Sequence, residues 1–101
     1  MAKRRLTWSI QVKQEINEIV FFFRKRNGNN MYGKKLQTAC LQASKMIARF
    51  NEIGTQIRLE KRHVRYVIVE GTYQLFYEIT ENQITIIKIW DVRRNPVDLK
   101  L

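Results

Sequence analysis

The only histidine of the chain, His63, lies in the run Glu60-Lys61-Arg62-His63-Val64-Arg65, and a second basic pair, Arg93-Arg94, follows an apolar run further on. A neutral imidazole is the side chain best suited to accept a proton near neutral pH. Guanidinium groups bind phosphate or carboxylate through paired hydrogen bonds. Arg58, Lys61, Arg62, Arg65, Arg93 and Arg94 are therefore the candidate anion- or nucleic-acid-binding set. His63, Arg65 and Arg94 are the candidate catalytic residues, should the chain do chemistry. Each has a plainer reading beside it. A lone histidine ahead of a strand is commonly an exposed loop residue, and charges spread over several faces only maintain solubility. Glu60 and Glu78 could serve as bases, but a carboxylate among arginines reads first as an ion-pair partner. The single cysteine, Cys40, excludes an intramolecular disulfide and a cysteine metal cluster, and its place on an apolar stripe makes it a small core residue. No metal and no cofactor are expected.

Charge is the strongest bulk signal. Lysine and arginine number 19 against 9 acidic residues, a formal net charge of +10. A small domain with that surplus repels itself, and an anionic partner relieves the repulsion: nucleic acid, the ribosome, an anionic membrane surface or an acidic protein. The 45% hydrophobic content over 101 residues suits one domain over 1–101 with one core. Met1 to Ser9 is basic with no apolar run behind it, so no signal peptide is expected. No stretch approaches the roughly 18 apolar residues of a membrane span. A reducing, cytoplasmic setting without a membrane partner is the resulting expectation.

Several elements must position these groups. Leu6 to Ser9 reads as a short strand with Leu6 and Trp8 on one face, and Ser9 can cap a helix over 11–27. Val12, Ile16, Ile19 and Phe23 fall at helical spacing, widened by Val20, Phe21 and Phe22. Gly28 is the stop, after Arg24, Lys25 and Arg26, which suit the negative end of the helix dipole. Asn29-Asn30 supplies the turn and cap for a second helix ending near Phe50, whose inward stripe is Tyr32, Leu36, Cys40, Ala43, Ile47 and Phe50. The short linker predicts an antiparallel hairpin. The period then changes to strands over 64–70, 73–80 and 84–92, with tight turns at Gly71-Thr72 and Glu81-Asn82. The last strand is apolar almost throughout, which predicts a central strand buried on both faces. The fold class is α+β: strand, helix, helix and a three-strand antiparallel meander, with the hairpin packed on one face of a small sheet. Three consecutive phenylalanines, Phe21 to Phe23, cannot all face one core from a helix that turns about 100° per residue. Phe21 and Phe22 are thus the candidate partner-binding residues.

Over nearly its whole length the chain resembles the RelE/ParE superfamily. The likeness rests on Trp8-Ser9 ending the first strand, the helix hairpin, Tyr73-Gln74-Leu75-Phe76-Tyr77, and Asp91-Val92-Arg93-Arg94-Asn95-Pro96 after a β-branched strand. The resemblance implies a toxin of a type II toxin–antitoxin module, active in plasmid stabilisation and growth inhibition and neutralised by a cognate antitoxin protein. It also leaves a homodimer or a toxin–antitoxin hetero-oligomer open. Some members cleave mRNA on the ribosome, without a metal; the ParE branch poisons DNA gyrase.

Cleavage of RNA needs a group to remove the 2′-hydroxyl proton, a cation for the charge developing on phosphate, and a donor for the departing 5′-oxygen. Set against the nuclease branch, Arg65 and Arg94 match basic positions. Val67 stands where a second lysine is expected, Gln74 replaces an arginine, and the tail Val97-Asp98-Leu99-Lys100-Leu101 has neither Tyr nor His. The resemblance therefore favours a ParE-like toxin that binds DNA gyrase. The alternatives are a RelE-like ribosome-dependent mRNA endoribonuclease built on His63, Arg65 and Arg94, and a non-toxic relative that binds nucleic acid or protein.

Overall fold

A computed structural model describes residues 3–101; Met1 and Ala2, at the basic start of the chain, lie outside the described residues. The elements are β1 (Arg5–Trp8), α1 (Ile10–Asn27), α2 (Met31–Arg49), β2 (Thr55–Leu59), β3 (Arg62–Val69), β4 (Tyr73–Ile79) and β5 (Gln83–Asp91), followed by a 3-10 turn at Pro96–Asp98. They build one five-stranded sheet in the order β1-β5-β4-β3-β2. β1 runs parallel to β5, and the other neighbours are antiparallel. The α+β architecture is the expected one with a strand added. β2 is an edge strand in which only Ile57 is half-buried, so its sequence lacks the apolar alternation of a strand seated on a core.

The helix signals translate directly into geometry. The Ser9 side chain accepts the Val12 N–H at 3.0 Å, and Gly28 ends α1 in the left-handed region at φ 73°. At the start of α2 the capping differs from expectation: Asn29 Oδ1 accepts the Met31 N–H at 3.0 Å, whereas the Asn30 side chain makes no capping bond. Phe50 caps the C-terminal end of α2 with φ −127° and ψ 86°, and it is half exposed and does not join the inward stripe. The β3–β4 turn is centred one residue earlier than expected. Glu70 and Gly71 have φ of 52° and 62°, and the Thr72 N–H reaches the Val69 carbonyl at 3.2 Å. That is the left-handed pair a tight hairpin requires.

The helices cover one face of the sheet. Val12 and Ile16 of α1 and Leu36, Cys40 and Ile47 of α2 pack on Tyr73, Leu75, Tyr77 and Ile79 of β4 and on Ile84, Ile86 and Ile89 of β5. Burial, with Glu70 nearby adding to the effect, pushes the Cys40 thiol up to about 11, consistent with an inert core residue. The middle strand is β4 and not β5, which lies one in from the edge. β5 still feeds both faces, because Ile87 and Trp90 belong to a second cluster with Val64 and Phe76 on the side away from the helices. A bulge where Tyr77 pairs with Ile86 and Phe76 with Lys88 accommodates the extra residue Ile87. Leu99 and Leu101 of the tail pack onto that second cluster, so the chain itself covers part of the helix-free face.

The segment joining α2 to β2 offers the core only one buried residue, Gly54, and is held by polar bonds. The fully buried Tyr77 hydroxyl donates to the Asn51 carbonyl at 2.8 Å and accepts the Gly54 N–H at 2.9 Å. Burial raises its pKa, which keeps the donor proton in place. Asn51 Nδ2 caps α2 through the Ile47 and Ala48 carbonyls at 2.8 and 3.2 Å. A Cβ on Gly54 would stand 2.7 Å from the Tyr66 carbonyl oxygen and 2.8 Å from the Tyr77 hydroxyl. Tyr77→Phe, which leaves both backbone groups unpaired, is expected to cost about 1–3 kcal/mol. Gly54→Ala is expected to cost a similar amount through overpacking, about 1–3 kcal/mol. Urea unfolding checks both; unchanged midpoints would show that this junction does not hold the helix to the sheet.

Candidate interaction surfaces

His63 and Arg65 are two apart on β3 and so project from the same side of the strand. Arg65 is paired across the sheet with Tyr77, which places it on the helix-bearing face. Its guanidinium donates to the Gly54 carbonyl at 2.6 Å and the Glu52 carbonyl at 3.2 Å through Nη1. Its Nε–H donates to His63 Nε2 at 3.0 Å. The two side chains therefore do stand together, and they brace the α2–β2 junction. An imidazole nitrogen that accepts from a guanidinium in this way is already in use as an acceptor.

Arg94 lies elsewhere. Its guanidinium carbon is 4.2 Å from the centroid of the Trp90 ring, a cation–π contact, with Lys88 Nζ 5.8 Å from the same ring. Trp90 is a packed aromatic of the helix-free face, as its place beside Val64 and Phe76 requires. Arg94 thus stacks on an indole of the helix-free face and also lines the groove toward α1, at the opposite end of β4 from Tyr77, the register partner of Arg65.

The other candidate cations divide into engaged and unengaged groups. Arg62 grips Glu78 with two bonds of 2.9 and 3.0 Å and gives a third, at 2.8 Å, to the Leu101 carbonyl. Hydrogen bonding to Arg62 holds the Glu78 carboxyl below its ordinary pKa. Arg93 is folded back on Asp91, whose Oδ1 also accepts the Arg93 backbone N–H at 2.8 Å. That interaction lowers the Asp91 pKa. Arg58 and Lys61 sit exposed on the β2–β3 hairpin, and neither they nor Arg94 form an ion pair among the described residues. No group of His, Cys, Asp and Glu among the described residues is arranged to hold a metal ion. No helix among the described residues is long and apolar enough to cross a membrane.

Phe21 and Phe22 are 52% and 55% exposed, which answers where the triple-phenylalanine run goes. Phe23 turns inward and packs on Tyr32 with ring centroids 4.4 Å apart. Arg24 and Lys25 lie over the Phe21 ring, each at 5.4 Å. Phe22 and Phe23 then open onto a groove of about 620 Å³ between α1 and the end of β5, where β1 has already stopped. Glu15 is a residue that sequence reasoning passed over. It accepts the Ile89 N–H at 3.3 Å and the Lys88 ammonium at 2.6 Å, capping the free edge of β5. Its only sequence signal is a carboxylate set directly before the apolar position Ile16.

The Glu78–Arg62 pair gives the stability a pH dependence with a defined sign. Because the folded-state pKa of Glu78 is depressed, its contribution is present above the ordinary glutamate value of about 4.3. It is lost as pH falls through the lower folded value. The unfolding midpoint of Glu78→Gln should therefore decline less on acidification through this window than that of the unsubstituted chain. Parallel declines would show that the pair contributes nothing.

Residues 6–96 match the family described as the ParE toxin of type II toxin-antitoxin system, parDE. No curated protein matches the chain in sequence. Among solved structures, a chain from the "Chromosomal ParDE TA system from P. aeruginosa" superposes with a TM-score of 0.73 at 16% identity. The likeness covers 90% of this chain and 98% of that one and, at such low identity, concerns the fold. With the family match running from β1 to the start of the closing 3-10 turn, the chain belongs to the ParE toxin family of type II toxin–antitoxin systems.

Proposed function

We propose that this toxin acts in the cytoplasm by binding DNA gyrase and does not cleave RNA. What carries the reading is the division of the candidate catalytic residues. His63 and Arg65 are bonded to each other and to the α2–β2 junction on one face, while Arg94 stacks on Trp90 on the other. Cleavage would need a base, a phosphate cation and a proton donor converging on one phosphodiester. In this arrangement Arg94, Arg58 and Lys61 serve as exposed contact charges for an acidic target, with Arg62, Arg65 and Arg93 contributing through the positions they hold.

A cognate antitoxin is the second partner. Phe21 and Phe22, ringed by Arg24, Lys25 and Arg26, form an apolar spot with a basic rim on α1. An acidic, amphipathic helical segment complements both features, its apolar side covering the rings and its carboxylates meeting the rim.

One experiment tests both parts. Purified toxin at micromolar concentration is expected to inhibit supercoiling by gyrase, and the small acidic protein encoded beside it should restore activity. Phe21→Ser/Phe22→Ser should still inhibit gyrase but bind the antitoxin roughly tenfold or more weakly, the effect of losing burial of two half-exposed rings. Gyrase untouched by the toxin would remove the target. Antitoxin affinity unchanged in the double variant would remove the aromatic interface.

A further inference from the structure

We propose that a basic cleft at the C-terminal end of α2 is a second binding site, which takes the phosphodiester backbone of duplex DNA. Lys45 and Arg49, one turn apart on α2, face Lys3 and Arg4 ahead of β1 across a cleft of about 860 Å³. Among the described residues that line it, Glu81 in the β4–β5 turn is the one acidic side chain, against four cations. This site lies apart from the Arg58–Lys61 hairpin and from the Trp90–Arg94 stack, and it does not rest on the gyrase reading.

The cleft is built, not merely a scatter of surface charge. Arg4 donates to the Thr80 carbonyl at 2.8 Å through Nε and to Asn51 Oδ1 at 2.9 Å through Nη1. Its Nη2 has no hydrogen-bond partner among the described residues, so the guanidinium is held with one donor edge free. Asn51 is itself fixed, because its amide caps α2. Lys3, Lys45 and Arg49 form no ion pair among the described residues. Nor are the cations needed to satisfy the end of α2. The Phe50 N–H reaches the Met46 carbonyl at 2.8 Å, and Asn51 takes the Ile47 and Ala48 carbonyls. Such a cluster, with its central arginine pre-positioned and its carbonyl neighbours already occupied, is free to meet an external anion.

The lining also selects among nucleic acids. Phe50, beside the cleft, carries the Arg49 guanidinium 5.4 Å from its ring centroid, so that face of the ring is already taken. The described residues that line the cleft include no aromatic on which an unpaired base could stack. Contacts would fall on phosphates and carry no sequence preference. A duplex, whose backbone offers closely spaced charges from both strands, is the better match than a single strand.

The test is fluorescence anisotropy with a labelled mixed-sequence duplex of about 20 base pairs, titrated with the full chain from about 50 to 200 mM salt. Lys45→Ala/Arg49→Ala should weaken binding roughly tenfold and flatten the plot of log affinity against log salt by about two units. Lys34→Ala/Lys35→Ala removes the same charge at the start of α2, about 15–22 Å from the cleft residues along the helix. It should leave affinity within about twofold, since neither residue meets the proposed phosphates. Circular dichroism of both variants confirms that these exposed substitutions leave the fold intact. Equal losses in the two variants would reduce the effect to net charge and overturn the site. So would an unchanged cleft variant, tighter binding to the single strand, or no duplex binding by the unsubstituted chain at the lowest salt.

Discussion

The Tyr77 hydroxyl is the point on which the molecule depends. It donates to Asn51 and accepts from Gly54, and so fastens the end of α2 to the middle strand of the sheet. Apolar contact could hold the helix against the sheet, but contact alone is non-directional and leaves the junction free to slide. Two short hydrogen bonds at a buried hydroxyl fix it, because breaking either leaves that hydroxyl short of a partner. Asn51 extends the same set of bonds to the helix carbonyls and, through Arg4, to the β4–β5 turn. A fold with a small core gains its definition from such a junction.

The junction also shapes what the surface can do. Arg65 is drawn into it by the Gly54 and Glu52 carbonyls, and His63 follows through its bond to Arg65. Residues that look like the start of a phosphate-cleaving set are thereby turned toward the helix-bearing face. The helix-free face is left with Trp90, Phe76 and Val64 under Leu99 and Leu101, flanked by Arg62 and its carboxylate partner Glu78. Its chemistry is that of contact: packed aromatics, paired charges and one arginine stacked on an indole. A ParE-family chain working by recognition needs no more than this.

Much of the fold could be read from the residues because local physics decides it. Ser9, Gly28 and the 3.6-residue spacing of Val12, Ile16 and Ile19 specify α1 without reference to the rest of the chain. Likewise Tyr73, Leu75, Tyr77 and Ile79 alternate as β4 must. β2 escaped because an edge strand needs only one face of partial burial, and Ile57 alone supplies it. The β3–β4 turn moved by a residue because Glu70 accepts a left-handed conformation that its side chain does not advertise. The candidate site was less legible, for a related reason. A strand arginine looks the same in sequence whether it meets solvent, a ligand or a carbonyl brought near from a distant loop. The Arg65–Gly54 bond exists only once β2, β3 and α2 are assembled, as does the capping of β5 by Glu15. The Asp91–Arg93 interaction, two residues apart at a strand end, is by contrast local and needs no assembled sheet.

The central claim is that this toxin binds and does not cut. Translation of a defined message on ribosomes in the presence of the purified chain, with primer extension to locate breaks, tests it most directly. The message should remain intact at micromolar concentrations of the chain. Breaks that appear with the unsubstituted chain and vanish with a folded Arg94→Ala variant would contradict the account, because they would place an arginine from the helix-free face in a working catalytic site.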